Sequence, residues 1–155
     1  MATVCCYDVY GKAVAVAPES IVFRPAVYGI FIENDHILLL RHLQSELWHP
    51  PGSVLASHET PTQALRHYFR QLTGMTPILG PLLFVEDQYH IDDARQAWHL
   101  SVLYYALDRP VATAATLAEL ESSAQPDWLP LAELERNQMQ FGYEAIQAGR
   151  LRLRL

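Results

Sequence analysis

Apolar residues recur along this chain at two periods, and the change of period marks its elements. Residues 4–16, VCCYDVYGKAVAV, alternate roughly by two on either side of Gly11-Lys12. That alternation predicts a hairpin within an N-terminal stretch of residues 1–20. AVYGIFI (26–32) and ILLL (37–40) flank Glu33-Asn34-Asp35-His36. Two nearly continuous apolar runs around a polar turn predict a second hairpin whose strands are buried on both faces. PLLFVEDQYH (81–90) and WHLSVLYYAL (98–107) read as two further strands, joined by a polar connection that contains Asp92-Asp93.

Between these strands the period lengthens to that of a helix. Thr60 is placed to cap it, Pro61 occupies its first position, and Gln63 completes a Thr-x-x-Gln capping box. Gly74 stands where a left-handed residue ends a helix. Further on, TLAELESS (116–123) reads as a short helix, DWLPLAEL (127–134) as a strand entering one helix, and FGYEAIQAG (141–149) as a closing helix. The alternating end RLRLRL (150–155) reads as an edge strand or a frayed tail. Strands with a few interspersed helices predict one α/β (α+β) domain spanning 1–155, a mixed sheet covered by helices.

Composition narrows the class. The 155 residues are 50% hydrophobic and 18% charged, so the chain can bury a proper core. A net charge of -6 argues against a nucleic-acid-binding face. MATVCCYDVY has neither a basic start nor a long apolar run, and no stretch approaches the length of a membrane span. A cytoplasmic protein with no membrane partner is the expectation. The adjacent Cys5 and Cys6 are badly placed to pair with each other and are expected to be reduced, buried strand residues.

Residues 48–75 resemble the Nudix box, the signature of hydrolases (MutT-like) that cleave nucleoside diphosphates linked to another moiety. The pattern of that family is G-x5-E-x7-R-E-U-x-E-E-x-G-U, with U a bulky aliphatic residue. Glu59, Thr60, Pro61, Ala64, Leu65, Arg66, Thr73 and Gly74 match common family sequences without a gap, and Trp48 and Pro51-Gly52 agree at the flank. The resemblance covers about residues 22–148 and implies a Nudix-like mixed sheet between helices. It also implies magnesium as the cofactor if the chain is active.

In that register the box is degenerate. Glu59, its first acid, is retained, but Ser53 holds the first glycine position and His67 the arginine position. The three family glutamates fall on Tyr68, Gln71 and Leu72. These vestigial positions stand at i, i+3 and i+4 and are expected to share one helix face. Magnesium needs oxygen ligands, usually one or two carboxylates with phosphates and waters. Losing even outer-shell groups commonly costs about 10–100-fold each. Leu65, Tyr68, Phe69 and Leu72 instead form an apolar stripe. Two readings follow: a helix packed more deeply with its cleft filled, or a cleft lined for a less charged or aromatic ligand.

Other candidates lie outside that stripe. Glu59 suits either a helix-dipole role or a surviving catalytic one. Glu86, Asp87, Asp92 and Asp93 are acids on the later strands and loops; Trp48, Trp98 and Tyr89 could stack on a base, and Arg41 could meet a phosphate. His49, His58 and His67 match no ligand spacing, so no metal site is assigned to them. The expected function is binding of a nucleotide-like or other small diphosphate-type ligand with weak or no magnesium-dependent hydrolysis. The alternatives are an active hydrolase using Glu59 with displaced acids such as Glu86 or Asp92, and a structural module that forms a homodimer through the N-terminal hairpin.

Overall fold

The computed structural model describes residues 2–110 and 125–154. Its centre is β3 (Ile21–Glu33), which runs antiparallel to β4 (His36–Arg41) across the expected polar turn. Asn34 and Asp35 adopt φ of 51° and 60° there. Both residue types tolerate the left-handed conformation that a two-residue hairpin turn demands. Residues 26–31 of β3 and 37–40 of β4 are buried without alternation, as a doubly covered strand requires.

The remaining strands build a mixed sheet around this pair. The N-terminal hairpin comprises β1 (Val4–Tyr7) and β2 (Ala13–Val16). β5 (Trp48–His49) pairs with β4, and β6 (Gly52–Val54) pairs with β3. β7 (Ile78–Ile91) and β8 (Ala97–Asp108) are long antiparallel partners, and β9 (Gln125–Pro130) lies against β4. The order is β2-β1-β7-β8-β3-β4-β5, with β3 and β8 parallel.

One helix covers each face. α1 (Pro61–Thr73) packs with Val27, Phe31, Leu38 and Leu107. α2 (Tyr143–Leu153) packs through Ala145 and Ile146 on Ala26, Tyr28, Ile30 and Tyr104. Odd and even residues of β3 therefore serve opposite cores, as a period of two dictates.

α1 carries its start and stop signals in full. The Thr60 hydroxyl accepts from the Gln63 N–H at 3.3 Å, and the Gln63 side chain accepts from the Thr60 N–H at 3.2 Å. Gly74, at φ 72°, donates its N–H to the Arg70 carbonyl. Gly52 is fixed differently: a methyl group there would overlap the Val27 carbonyl, so only glycine lets β6 lie this close to β3.

Four sequence expectations need correction or placement. Residues 150–153 of RLRLRL are neither strand nor frayed tail: they continue α2, which runs through Leu153. DWLPLAEL enters no α-helix. Leu131–Glu133 is a single 3-10 turn, which sets Leu131 and Leu134 three apart so that both are buried. Cys6 is buried but Cys5 is exposed, because alternate residues of this edge hairpin face outward. TLAELESS lies outside the described residues.

Removing the cap should weaken the fold measurably. Thr60→Ala is expected to lower unfolding stability by about 0.5–2 kcal/mol, with an unchanged denaturant slope. Glu59→Gln should lose less, since its Oε1 acceptor to the Ala56 N–H survives the change. Urea titration followed by circular dichroism checks both.

Candidate functional site

The face of α1 decides which of its side chains a ligand could meet. Leu65 and Phe69 are fully buried, and Leu72 is 5% exposed. The Phe69 ring stacks on Phe31, with centroids 6.2 Å apart. It fits there because Gly29 has no side chain: a methyl group on Gly29 would sit 2.8 Å from the Phe69 ring. Once Phe69 is held, its neighbours follow. Leu72 turns into the core, Gln71 is exposed, and Tyr68 lies half-buried at the boundary.

Tyr68, Gln71 and Leu72 therefore do not make the single open face that their spacing predicted. One points inward, one outward and one along the edge. His67, at the arginine position, is exposed. This donor set does not fit magnesium, since it contains no carboxylate and its side chains diverge. Among the described residues, no three His, Cys, Asp or Glu side chains gather as a metal site would need.

Tyr68 sits near Tyr28 of β3. Burial, and to a smaller degree the neighbouring Tyr68, push the Tyr28 phenol above its ordinary range. Tyr28 in turn forms part of a cavity of about 430 Å³ on the far side of the strand. Cys5, Tyr7, Asp8 and Gly11 of the N-terminal hairpin, Asp87 to His90 of β7, and Gln140 and Phe141 before α2 complete its walls. That volume falls within the range of small-molecule sites. The Phe141 ring is held edge-on to Tyr28 at 4.9 Å and stacked on His49 at 5.1 Å.

A smaller recess of about 240 Å³ adjoins the cavity and shares Gln88, Gln140 and Phe141 with it. Glu86 lines this recess and accepts a 2.5 Å hydrogen bond from the Tyr104 hydroxyl. Burial, then the Glu86 carboxylate, push the Tyr104 phenol far above its normal range, and its oxygen accepts in turn from the Gln88 amide at 3.1 Å. Arg136 also faces the recess, where it is paired with Glu144 and lies 4.6 Å from the Tyr143 ring centre.

The other sequence candidates are dispersed. Glu59 lines an open depression with Arg24, Leu55 and Ser57, away from the cavity walls. Arg41 lies 5.8 Å from the Trp48 ring centre and is paired with Glu46 at 3.3 Å. The Trp98 indole donates to Asp92 at 2.8 Å, and Asp93 faces His42 at 3.6 Å. None of these residues is among those lining the cavity. Tyr89 does line it, and its ring stacks on His99, which contacts Asp87 at 2.9 Å. Tyr7, Tyr28, His90, Gln140 and Phe141 were not singled out in the sequence, because no local pattern links five positions spread over the whole chain.

Solved structures supply the comparison. A MutT Nudix hydrolase from Burkholderia pseudomallei superposes with a TM-score of 0.62 at 20% identity, over 82% of this chain and 98% of that one. NrtR from Shewanella oneidensis gives 0.62 at 19% identity, over 83% of this chain and 62% of its own. A UDP-X diphosphatase gives 0.59 at 17%, over 86% and 64%. This chain thus spans less than two thirds of the latter two. No family model and no curated protein matches the sequence. The likeness establishes the fold of the Nudix hydrolases. No helix among the described residues is long and apolar enough to cross a membrane.

Two predictions follow from this packing. Leu72→Glu should cost about 3–5 kcal/mol at neutral pH, because it buries an unpaired charge, whereas Gln71→Glu should be within about 0.5 kcal/mol of wild type. Denaturant melts of both variants check the contrast. Burial also lowers the pKa of His49 and of His90. The unfolded chain then binds more protons than the folded one below the ordinary histidine pKa. Stability should therefore fall as pH drops through about 6.5. His49→Gln should flatten that fall in melts taken between pH 7.5 and 5.

Proposed function

We propose that this chain is a Nudix-fold protein that binds a small nucleotide-like ligand with weak or no magnesium-dependent hydrolysis. The observation that carries the reading is Leu72, 5% exposed at a position where a hydrolase of this fold would hold a metal-binding glutamate. A leucine already packed in the core leaves no place for a carboxylate to be regained by a small side-chain motion. The cavity supports the binding half of the proposal. Tyr7, Tyr28, Tyr89 and Phe141 offer ring faces, and Gln88 and Gln140 offer amides.

The alternative of a hydrolase working through displaced acids has less support. Glu59 belongs to the depression beside Arg24, while Glu86 is held by Tyr104 in the recess. The other alternative, a purely structural module, leaves the aromatic cavity without a use.

Calorimetry should reveal no saturable, stoichiometric magnesium binding at millimolar concentration without nucleotide. A panel of nucleoside di- and triphosphates, dinucleotides and nucleotide sugars, tried with several divalent metals, should give no turnover. Turnover that Glu59→Gln abolishes without loss of stability would replace this reading with the hydrolase one.

A further inference from the structure

The walls of the cavity carry charge of one sign. Asp8 and Asp87 line it, and among the described residues no lysine or arginine does. His90 adds no cation: burial holds its imidazole below the ordinary pKa, against a smaller opposite effect of Asp92. Its Nδ1 is buried without a hydrogen-bond partner among the described residues, a further cost that charging the ring would raise. His99 faces Asp87 at 2.9 Å, on the side shared with Tyr89 and Phe23. The adjoining recess carries both signs with acids in excess. Glu86 and Glu144 face it together with Arg136, and Arg136 is already paired with Glu144.

A phosphate placed along this path would meet carboxylates and no uncommitted cation. The same walls suit a flat ring. Phe141 is fixed by Tyr28 and His49, and Tyr89 by His99, so these aromatic surfaces are already positioned. The main chain adds polar groups. β1 is in register with β7 only at Tyr7–His90, so residues 87 and 88 have no strand partner on the side facing the hairpin. An open strand edge presents N–H and carbonyl groups in alternation, which a heterocycle with both donors and acceptors can match.

We propose that this cavity binds a nucleoside-like aromatic ring of neutral or positive charge and selects against its phosphorylated forms. The proposal rests on the ligand-binding reading above and narrows its ligand to one without phosphate. The N-terminal hairpin, through Tyr7, Asp8 and Gly11, is then part of the binding site and not merely an addition to the sheet edge.

The test is calorimetric titration of the full chain with the four common ribonucleosides and their 5′-diphosphates, without metal. At least one nucleoside is expected to bind about tenfold more tightly than its own diphosphate. Tyr7→Ala, a change at an exposed wall residue, should weaken that nucleoside by about fivefold. Asp87→Asn should narrow the gap between nucleoside and diphosphate. A diphosphate that binds as tightly as its nucleoside overturns the charge selection and leaves the ligand-binding reading intact. Absence of nucleoside binding at millimolar concentration, or binding indifferent to Tyr7→Ala, overturns the proposal as well. Magnesium-dependent cleavage would remove the non-hydrolytic reading, while the affinity ratio still decides this one.

Discussion

The seating of Phe69 against β3 is the contact on which the rest of the site depends. Its ring stacks on Phe31 over Gly29, and a side chain at residue 29 would push it away. A helix held at one ring can no longer rotate freely about its axis. With 3.6 residues per turn, fixing residue 69 inward places 65 and 72 inward as well and sends 71 to solvent. The chemistry available to α1 is thus settled by packing, before any ligand is considered.

That rotation has an electrostatic consequence. A helix that presents several carboxylates to one spot must be stabilised by a cation, because like charges at such spacing repel. Here Leu72 contributes to the core and Gln71 is hydrated, so α1 needs no metal to stand where it does. The acids that remain are each committed elsewhere. Asp92 holds the Trp98 indole, Asp8 accepts the N–H groups of Tyr10 and Lys12, and Glu86 receives the Tyr104 hydroxyl. They act as local hydrogen-bond acceptors, spread over several elements.

The fold was largely legible in advance. The Glu33–His36 turn, the two long strands of β7 and β8, and the capped helix all depend on signals within a few residues of one another. Reading failed where the signal was short or shared. RLRLRL alternates like a strand, yet it continues α2, because arginine and leucine are both good helix formers and the preceding turn was already nucleated. DWLPLAEL read as a strand entering a helix, but Leu131 and Leu134 needed only the three-residue spacing of a 3-10 turn to reach the core.

The sequence by itself determined the ends of α1 and the absence of carboxylates at 68, 71 and 72, because a capping box and a residue's identity are local facts. Spacing alone could not say which way α1 faces, since Tyr68, Gln71 and Leu72 are neighbours on any helix whatever lies beneath it. Only the contact with Gly29 and Phe31, some forty residues earlier, divided them into boundary, solvent and core. The cavity is a tertiary product in the same sense. Its walls come from the first eleven residues, from Tyr28, from β7 and from the loop before α2. Side chains so far apart meet through sheet order and helix packing, whose driving force is burial of apolar area and carries no signature in any one segment.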